Sequence, residues 1–329
     1  MGLATDKLFF KMQLLDRYCA TKLMNHGGAV KKEQILVYGA AIGSMLFWAS
    51  SFVWFKVAFR QYRPIEVVFL RLVISSLALI GFQLVTRKSE RIAPEDRKTL
   101  ALLAFFEPFC YFLGESFGMN LVSPTIGSII VSTIPLFTPV FAHVFIGERI
   151  TRFTVFGILV SFAGVVLIIL EKADGPTSLV GILLMFFAVF SGITYGVLLR
   201  RVAHRYSGIT IVKAQNIMGA LYFLPLFLIF DSHHFFSTVP QPETIYTIIK
   251  LAIFSSSLAF ILFTYAMRHI GLTNANVFTN LIPVFTAVIA YIVLGEIITV
   301  QKVAGIAVVI GGLFISQIPQ LRRRRYQIA

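Results

Sequence analysis

The chain has 329 residues, 57% hydrophobic and 13% charged, with a net charge of +14 and a mean hydropathy of +0.83. Soluble domains are about a quarter charged, so this composition cannot clothe a water-facing surface of ordinary kind. The cationic excess lies between apolar runs, where Lys and Arg set orientation in a bilayer, and no nucleic-acid partner is expected.

Residues 1–33 read as a cytoplasmic extension. The stretch "KLFFKMQLLDRY" is interrupted by charge and lacks the apolar core of a secretory signal. "MGLATD" puts Asp6 where a myristoylation site needs Ser or Thr. Ten apolar runs follow, at 34–57, 65–85, 99–119, 124–146, 153–170, 178–199, 209–230, 244–267, 273–294 and 300–318. Each is near twenty residues, the length that crosses about 30 Å of hydrocarbon at about 1.5 Å per residue. The connections are short and polar, for example "RKSERIAPEDRK" and "DSHHFFSTVPQPE". Residues 319–329, with Arg322 to Arg325, form a basic cytoplasmic tail. Cys19 sits in the polar extension and Cys110 in an apolar run, which excludes a disulfide framework.

With both termini on the cytoplasmic side, 21 of the 29 Lys and Arg fall on that side and five on the other. An even number of crossings requires the same placement, so charge and count agree on both termini inside. The expected location is the plasma (inner) membrane, as a multi-pass protein.

The stretch 125–151, "TIGSIIVSTIPLFTPVFAHVFIGERIT", recurs 148 positions later as "TNANVFTNLIPVFTAVIAYIVLGEIIT". Over the 44 positions from Thr125 about 16 are identical, among them Pro135/Pro283, Phe137/Phe285, Gly147/Gly295, Glu148/Glu296, Gly157/Gly305 and Gly164/Gly312. A fainter match, shifted by 142, sets Trp48 on Phe190 and Arg71 on Lys213. Each unit then holds five spans. Because five is odd, the second copy must cross in the opposite sense, an arrangement recurrent in transporters. The expected fold is an all-α integral membrane protein of ten transmembrane helices in two inverted five-helix repeats, 34–171 and 178–318.

The doubled "P-x-F-T…G-E-x-I-T…G…G" pattern, with "PIEVVFLR" at Pro64 to Arg71, resembles the EamA-type family of drug/metabolite transporters. The resemblance spans about residues 34–318. It implies a secondary carrier, in most relatives an exporter of amino acids, metabolites or drugs, with a midplane cavity lined by spans 1, 3, 4, 6, 8 and 9. The partners implied are a small-molecule solute and the lipid bilayer, with the protein a monomer or a homodimer.

Candidate cavity residues come from helix phase and side-chain type. Ser128, Ser132, Pro135 and Pro139 are spaced along one helical face, and the repeat sets Asn276, Asn280, Pro283 and Ala287 opposite them. A polar stripe beside a proline break suits a wet cavity, though helix–helix hydrogen bonds would use the same residues. Trp48, Tyr111, Tyr195 and Tyr265 pair an apolar ring with a polar tip, as a pocket for an organic solute requires. Arg71, Glu107 and Glu115 are intramembrane charges, with Lys213 a fourth. From helical rise, Arg71 and Glu115 lie about 9 and 7 Å below the outer edge, close enough in depth to pair. Glu107, before Pro108, is the carboxyl placed to exchange a proton during a cycle. The Gly-Glu-x-x-Thr motifs at Glu148 and Glu296 read as tight turns, and Gly39 with Gly43 as a close helix approach.

An enzyme is not expected. The chain carries no partnered nucleophile, no His-Glu-x-x-His metal set and no phosphate-binding loop, hence no cofactor and no metal. A passive channel or facilitator is the remaining alternative.

Overall fold

The computed structural model describes residues 34–87, 90–146, 151–169 and 178–328. The N-terminal extension and the Gly147–Glu148 turn lie outside them. The regular elements of the described residues are helices. In chain order they are α1 (Gln34–Ala58), α2 (Pro64–Thr86), α3 (Pro94–Leu121), α4 (Pro124–Val131), α5 (Ile134–Ile146) and α6 (Arg152–Ile169), then α7 (Leu179–Val202), α8 (Gly208–Ser237), α9 (Pro242–Ile270), α10 (Leu272–Val277), α11 (Leu281–Leu294) and α12 (Val300–Ile328).

Seven helices are long and apolar enough to cross a membrane: α1, α2, α3, α7, α8, α9 and the stretch Asn274–Leu294. Three further expected runs, Pro124–Thr138, Val155–Leu167 and Val300–Gly312, are present as shorter apolar helices of 10–17 residues. Apolar side chains such as Leu84, Val85, Leu179, Ile229 and Ile292 point outward along the long helices, as hydrocarbon solvent permits.

Local sequence explains the helix ends. Pro64, Pro94, Pro124 and Pro242 open helices, where the missing N–H costs nothing. Ser123 and Ser207 cap α4 and α8 by accepting from the N–H of Ile126 and Thr210. Gly295, at φ 68°, ends α11 in the left-handed region, and Thr299 Oγ1 accepts the Lys302 N–H at the start of α12.

The run at 124–146 is interrupted, and its repeat counterpart is too. α4 stops at Val131, four residues before Pro135, where the ring meets the preceding turn. Ser132 and Thr133 donate back to the carbonyls of Ile129 and Ile130 across this break. In the second copy the chain tightens into a 3₁₀ turn, Phe278–Asn280, ahead of Pro283. Three π-helical stretches also occur: Phe105–Cys110 around Pro108, Phe227–Asp231 after Pro225, and Leu251–Leu258.

Two helix pairs fix how the halves meet. A Cβ on Gly164 would meet the Gly305 carbonyl oxygen at 2.9 Å, and one on Gly312 would meet the Gly157 carbonyl oxygen at 2.6 Å. Between them the Ser161 hydroxyl donates to the Val309 carbonyl at 2.8 Å. As numbers rise along α6 the partners fall along α12, so the helices are antiparallel. Under the 148-residue offset the two glycine contacts exchange, and Ser161 and Val309 are equivalent positions that meet each other. α2 and α8 are antiparallel too: Gln83 contacts Thr210 at 3.2 Å, and Ser75 contacts Asn216 at 2.6 Å.

The expectation for Gly39 is corrected: a Cβ there would have nothing within 4 Å, while one on Gly43 would make an ordinary contact with the Leu262 side chain of α9 at 3.5 Å, so the two do not form one close backbone approach.

Candidate functional site

The central cavity, counted together with the solvent space that opens into it, spans about 670 Å³ free of atoms. α1 supplies Trp48, Ser51 and Phe52; α3 supplies Glu107, Tyr111, Phe112 and Glu115; α7 supplies Gly192, Tyr195 and Gly196. α9 adds Ser255, Phe260 and Phe263, and the broken segments add Val131, Ile134, Leu272, Asn276, Thr279 and Ile282. Arg71 reaches in from α2. Both halves of the chain therefore build one chamber.

Its aromatic wall is interlocked. The Trp48 ring meets Phe260 edge-on at 5.1 Å and Phe263 at 5.2 Å, and Tyr195 meets Phe260 edge-on at 6.2 Å. The Tyr195 hydroxyl donates to Gln215 Oε1 at 3.2 Å. Such rings give a solute a rigid apolar surface with few polar fixing points.

The charged wall centres on Arg71, which is 1% exposed. Nε donates to Ser256 Oγ at 2.6 Å and Nη2 to Ser255 Oγ at 3.1 Å. The guanidinium lies 4.2 Å from the Phe112 ring centroid and 5.1 Å from that of Phe55. Nη1 stands 4.0 Å from Glu115 Oε2. That is too long for a direct hydrogen bond. Neither atom has another hydrogen-bond partner in the protein. The two face each other across a gap that one group able to donate and accept would bridge. Glu107, beside Pro108 in the non-helical turn of α3 (φ −149°, ψ 117°), brings a second carboxyl into the walls. Its peptide bond to Pro108 is cis.

A buried ladder backs the arginine. Ser75 Oγ meets Ser257 Oγ at 2.5 Å, and the Asn216 amide donates to Ser75 Oγ and to the Ser256 carbonyl at 3.0 Å. It ties α2, α8 and α9 together behind the cavity.

Of the eight cavity residues read from sequence, Trp48, Tyr111, Tyr195 and Asn276 stand in the walls. Ser128, Ser132, Asn280 and Tyr265 do not. Ser128 and Ser132 are fully buried and turn back on their own helix, donating to the carbonyls of Thr125 and Ile129. The break ahead of Pro135 displaces the straight face their spacing implied. Asn280 is buried, its Oδ1 without a hydrogen-bond partner, and Tyr265 packs on His269. Pro135 and Pro283 are buried at the interruptions. Lys213 lies outside the cavity with its Nζ on Gln83 Oε1. Ser255 and Ser256 were not among the candidates, although three consecutive serines inside an apolar run were the signal for them.

A model of the EamA-like transporter family matches residues 35–170 and 179–317. A Bacillus subtilis (strain 168) protein, "Uncharacterized transporter YetK", is 26% identical over 327 residues, covering 96% of this chain and 97% of its own. The "Probable terminal-alkyne amino-acid exporter" of Streptantibioticus cattleyicolor is 25% identical over 289 residues, covering 87% and 95%. A solved crystal structure, 17% identical, aligns over 87% of this chain and 98% of its own with a TM-score of 0.67, a likeness of fold.

Proposed function

The chain belongs to the EamA-like transporter family, and we propose that it works as a secondary-active carrier exporting a small organic metabolite by alternating access. Membership makes it a multi-pass membrane protein and a transporter rather than an enzyme. The carrier mechanism, the ten-span count and the inverted halves are our reading.

One observation carries it: both halves contribute to a single chamber in which an aromatic wall faces the Arg71–Glu115 gap. The solute that suits this chamber has an apolar body and a compact polar head, as an amino acid or a drug-like metabolite does. That one relative is named an amino-acid exporter agrees with this class. The inverted arrangement is supported by the antiparallel α6–α12 and α2–α8 pairs, and by the α6–α12 glycine contacts, which exchange under the repeat. In this reading α4 with α5 and α10 with α11 each make one broken span. Both termini face the cytoplasm, and the membrane is the plasma membrane.

Glu107 is the carboxyl we assign to proton exchange. The test is flux in proteoliposomes. Saturable, slow efflux that runs uphill against a solute gradient only while a proton gradient stands supports the carrier. Large, non-saturating conductance would replace it with a channel, and uphill transport persisting after the proton gradient is collapsed would remove the role of Glu107.

A further inference from the structure

We propose that Asp96 and Asp231 are paired gate carboxylates, one at each end of the central chamber, each latched by the repeat-equivalent arginine. The inference rests on the carrier reading above.

Arg63 Nη1 meets Asp231 Oδ1 at 3.2 Å, and Arg205 Nη1 meets Asp96 Oδ1 at 2.7 Å. Arg63 and Arg205 are 142 positions apart, the offset that also relates Arg71 to Lys213, and each stands eight residues before that basic residue. Exchanging the halves carries the α1–α2 connection onto the α7–α8 connection and the α8–α9 connection onto the α2–α3 connection. The two contacts therefore join corresponding segments, although Asp231 ends α8 and Asp96 begins α3 and the two are not equivalent positions. The environments match as well. The arginine side chains are 54% and 52% exposed, and the aspartates 7% and 9%.

The pairs sit at opposite ends of the 23-residue α2, a rise of about 34 Å. Each has company that joins the same segments. At one end His234 Nδ1 lies 2.8 Å from Glu66 Oε1, and the Gln61 side chain bonds the backbone of Val239 and Gln241. At the other, the Tyr206 hydroxyl donates to Asp96 Oδ2 at 2.6 Å and the Ser207 N–H to Glu90 Oε2 at 2.7 Å. A half-exposed ion pair is weak, so it can open on every cycle, whereas the near-buried aspartate keeps its geometry specific. Both latches are formed in this structure.

The test reads exposure of the chamber and needs no known solute. Ser51→Cys is placed in the cavity wall of a Cys19→Ser, Cys110→Ser protein, and sealed vesicles of each orientation receive an impermeant methanethiosulfonate. Asp231→Asn is expected to raise reactivity roughly two- to fivefold from the Asp231 face only, and Asp96→Asn by as much from the other face. The charge swap Arg63→Asp with Asp231→Arg restores the low rate, which excludes a fold defect. Reactivity that stays unchanged, or rises from both faces together, overturns the gates. One-sided changes in a protein that moves no solute sustain the gates and count against the carrier reading instead.

Discussion

Arg71 is the residue whose surroundings decide most. A buried charge is costly unless paired, and breaking a buried pair from one side costs about 3–5 kcal/mol, because the other charge is left behind. Arg71→Met and Glu115→Gln are each expected to lower thermal stability in detergent by an amount of that order. The double variant is expected to be less damaging than Arg71→Met alone. If the double variant lost as much as the two single losses added together, Arg71 and Glu115 would be independent. Ser256→Ala removes a hydrogen bond to the charged Nε, about 1.5–3 kcal/mol, and is read in the same melt.

How much of the site was legible at this scale depends on what each residue's position rests on. Arg71 and Glu115 could be matched in depth, since helical rise needs only the span ends, and the structure sets their charged atoms 4.0 Å apart. Trp48, Tyr111 and Tyr195, chosen by chemical type, and Asn276, chosen by helix phase and the repeat, line the cavity. The serines of α4 misled, because a hydroxyl in a membrane helix can satisfy itself on its own backbone, and nothing in the spacing separates that from a cavity face.

At the scale of helices, the α6–α12 crossing depends on the absence of side chains. A Cβ on Gly312 would lie 2.6 Å from both the Gly157 carbonyl oxygen and the Ser161 backbone nitrogen. Backbone cannot yield as a flexible side chain does, so Gly312→Val and its counterpart Gly164→Val are each expected to destabilise by about 1–3 kcal/mol. Gly39→Ala is the control: with open space around it, it should be neutral or gain up to about 1 kcal/mol from helix propensity. Equal stability of Gly312→Val and the parent protein in a thermal melt would mean the two helices do not meet there. The repeat revealed these glycines at once. The pair Gly39 and Gly43, four residues apart, makes no such backbone contact, since a small-residue motif does not say how closely another helix approaches.

The polar connections make a pH prediction. Burial pushes the Glu90 carboxyl up, but bonds from the Ser207 N–H and from the Thr210 and Ser207 hydroxyls, with Arg268 beside it, hold it below the usual carboxylate range. A carboxylate depressed in the folded state contributes stability above its unfolded pKa and loses it as pH falls through the folded value. The Glu90→Gln protein should therefore lose less melting temperature than the parent on acidification below the ordinary carboxylate range. Parallel losses would show that Glu90 carries none of that dependence.

For the whole molecule, hydropathy alone carried the class, because a chain this apolar has only the bilayer as a solvent. The number of crossings was harder to read. Composition counts apolar runs, whereas Pro135 and Pro283 break two of them into pieces that composition cannot distinguish from continuous helices. The sense in which the two halves cross is the claim on which the chamber, the gates and the carrier cycle all rest. Its most direct measurement places a single cysteine at Arg97, exposed at the start of α3, or at Glu243, exposed at the start of α9. These are equivalent connections of the two units. Impermeant thiol labelling of sealed, oriented vesicles should reach Arg97→Cys only from the cytoplasmic face and Glu243→Cys only from the opposite face. Labelling of both from one face would contradict the inverted arrangement.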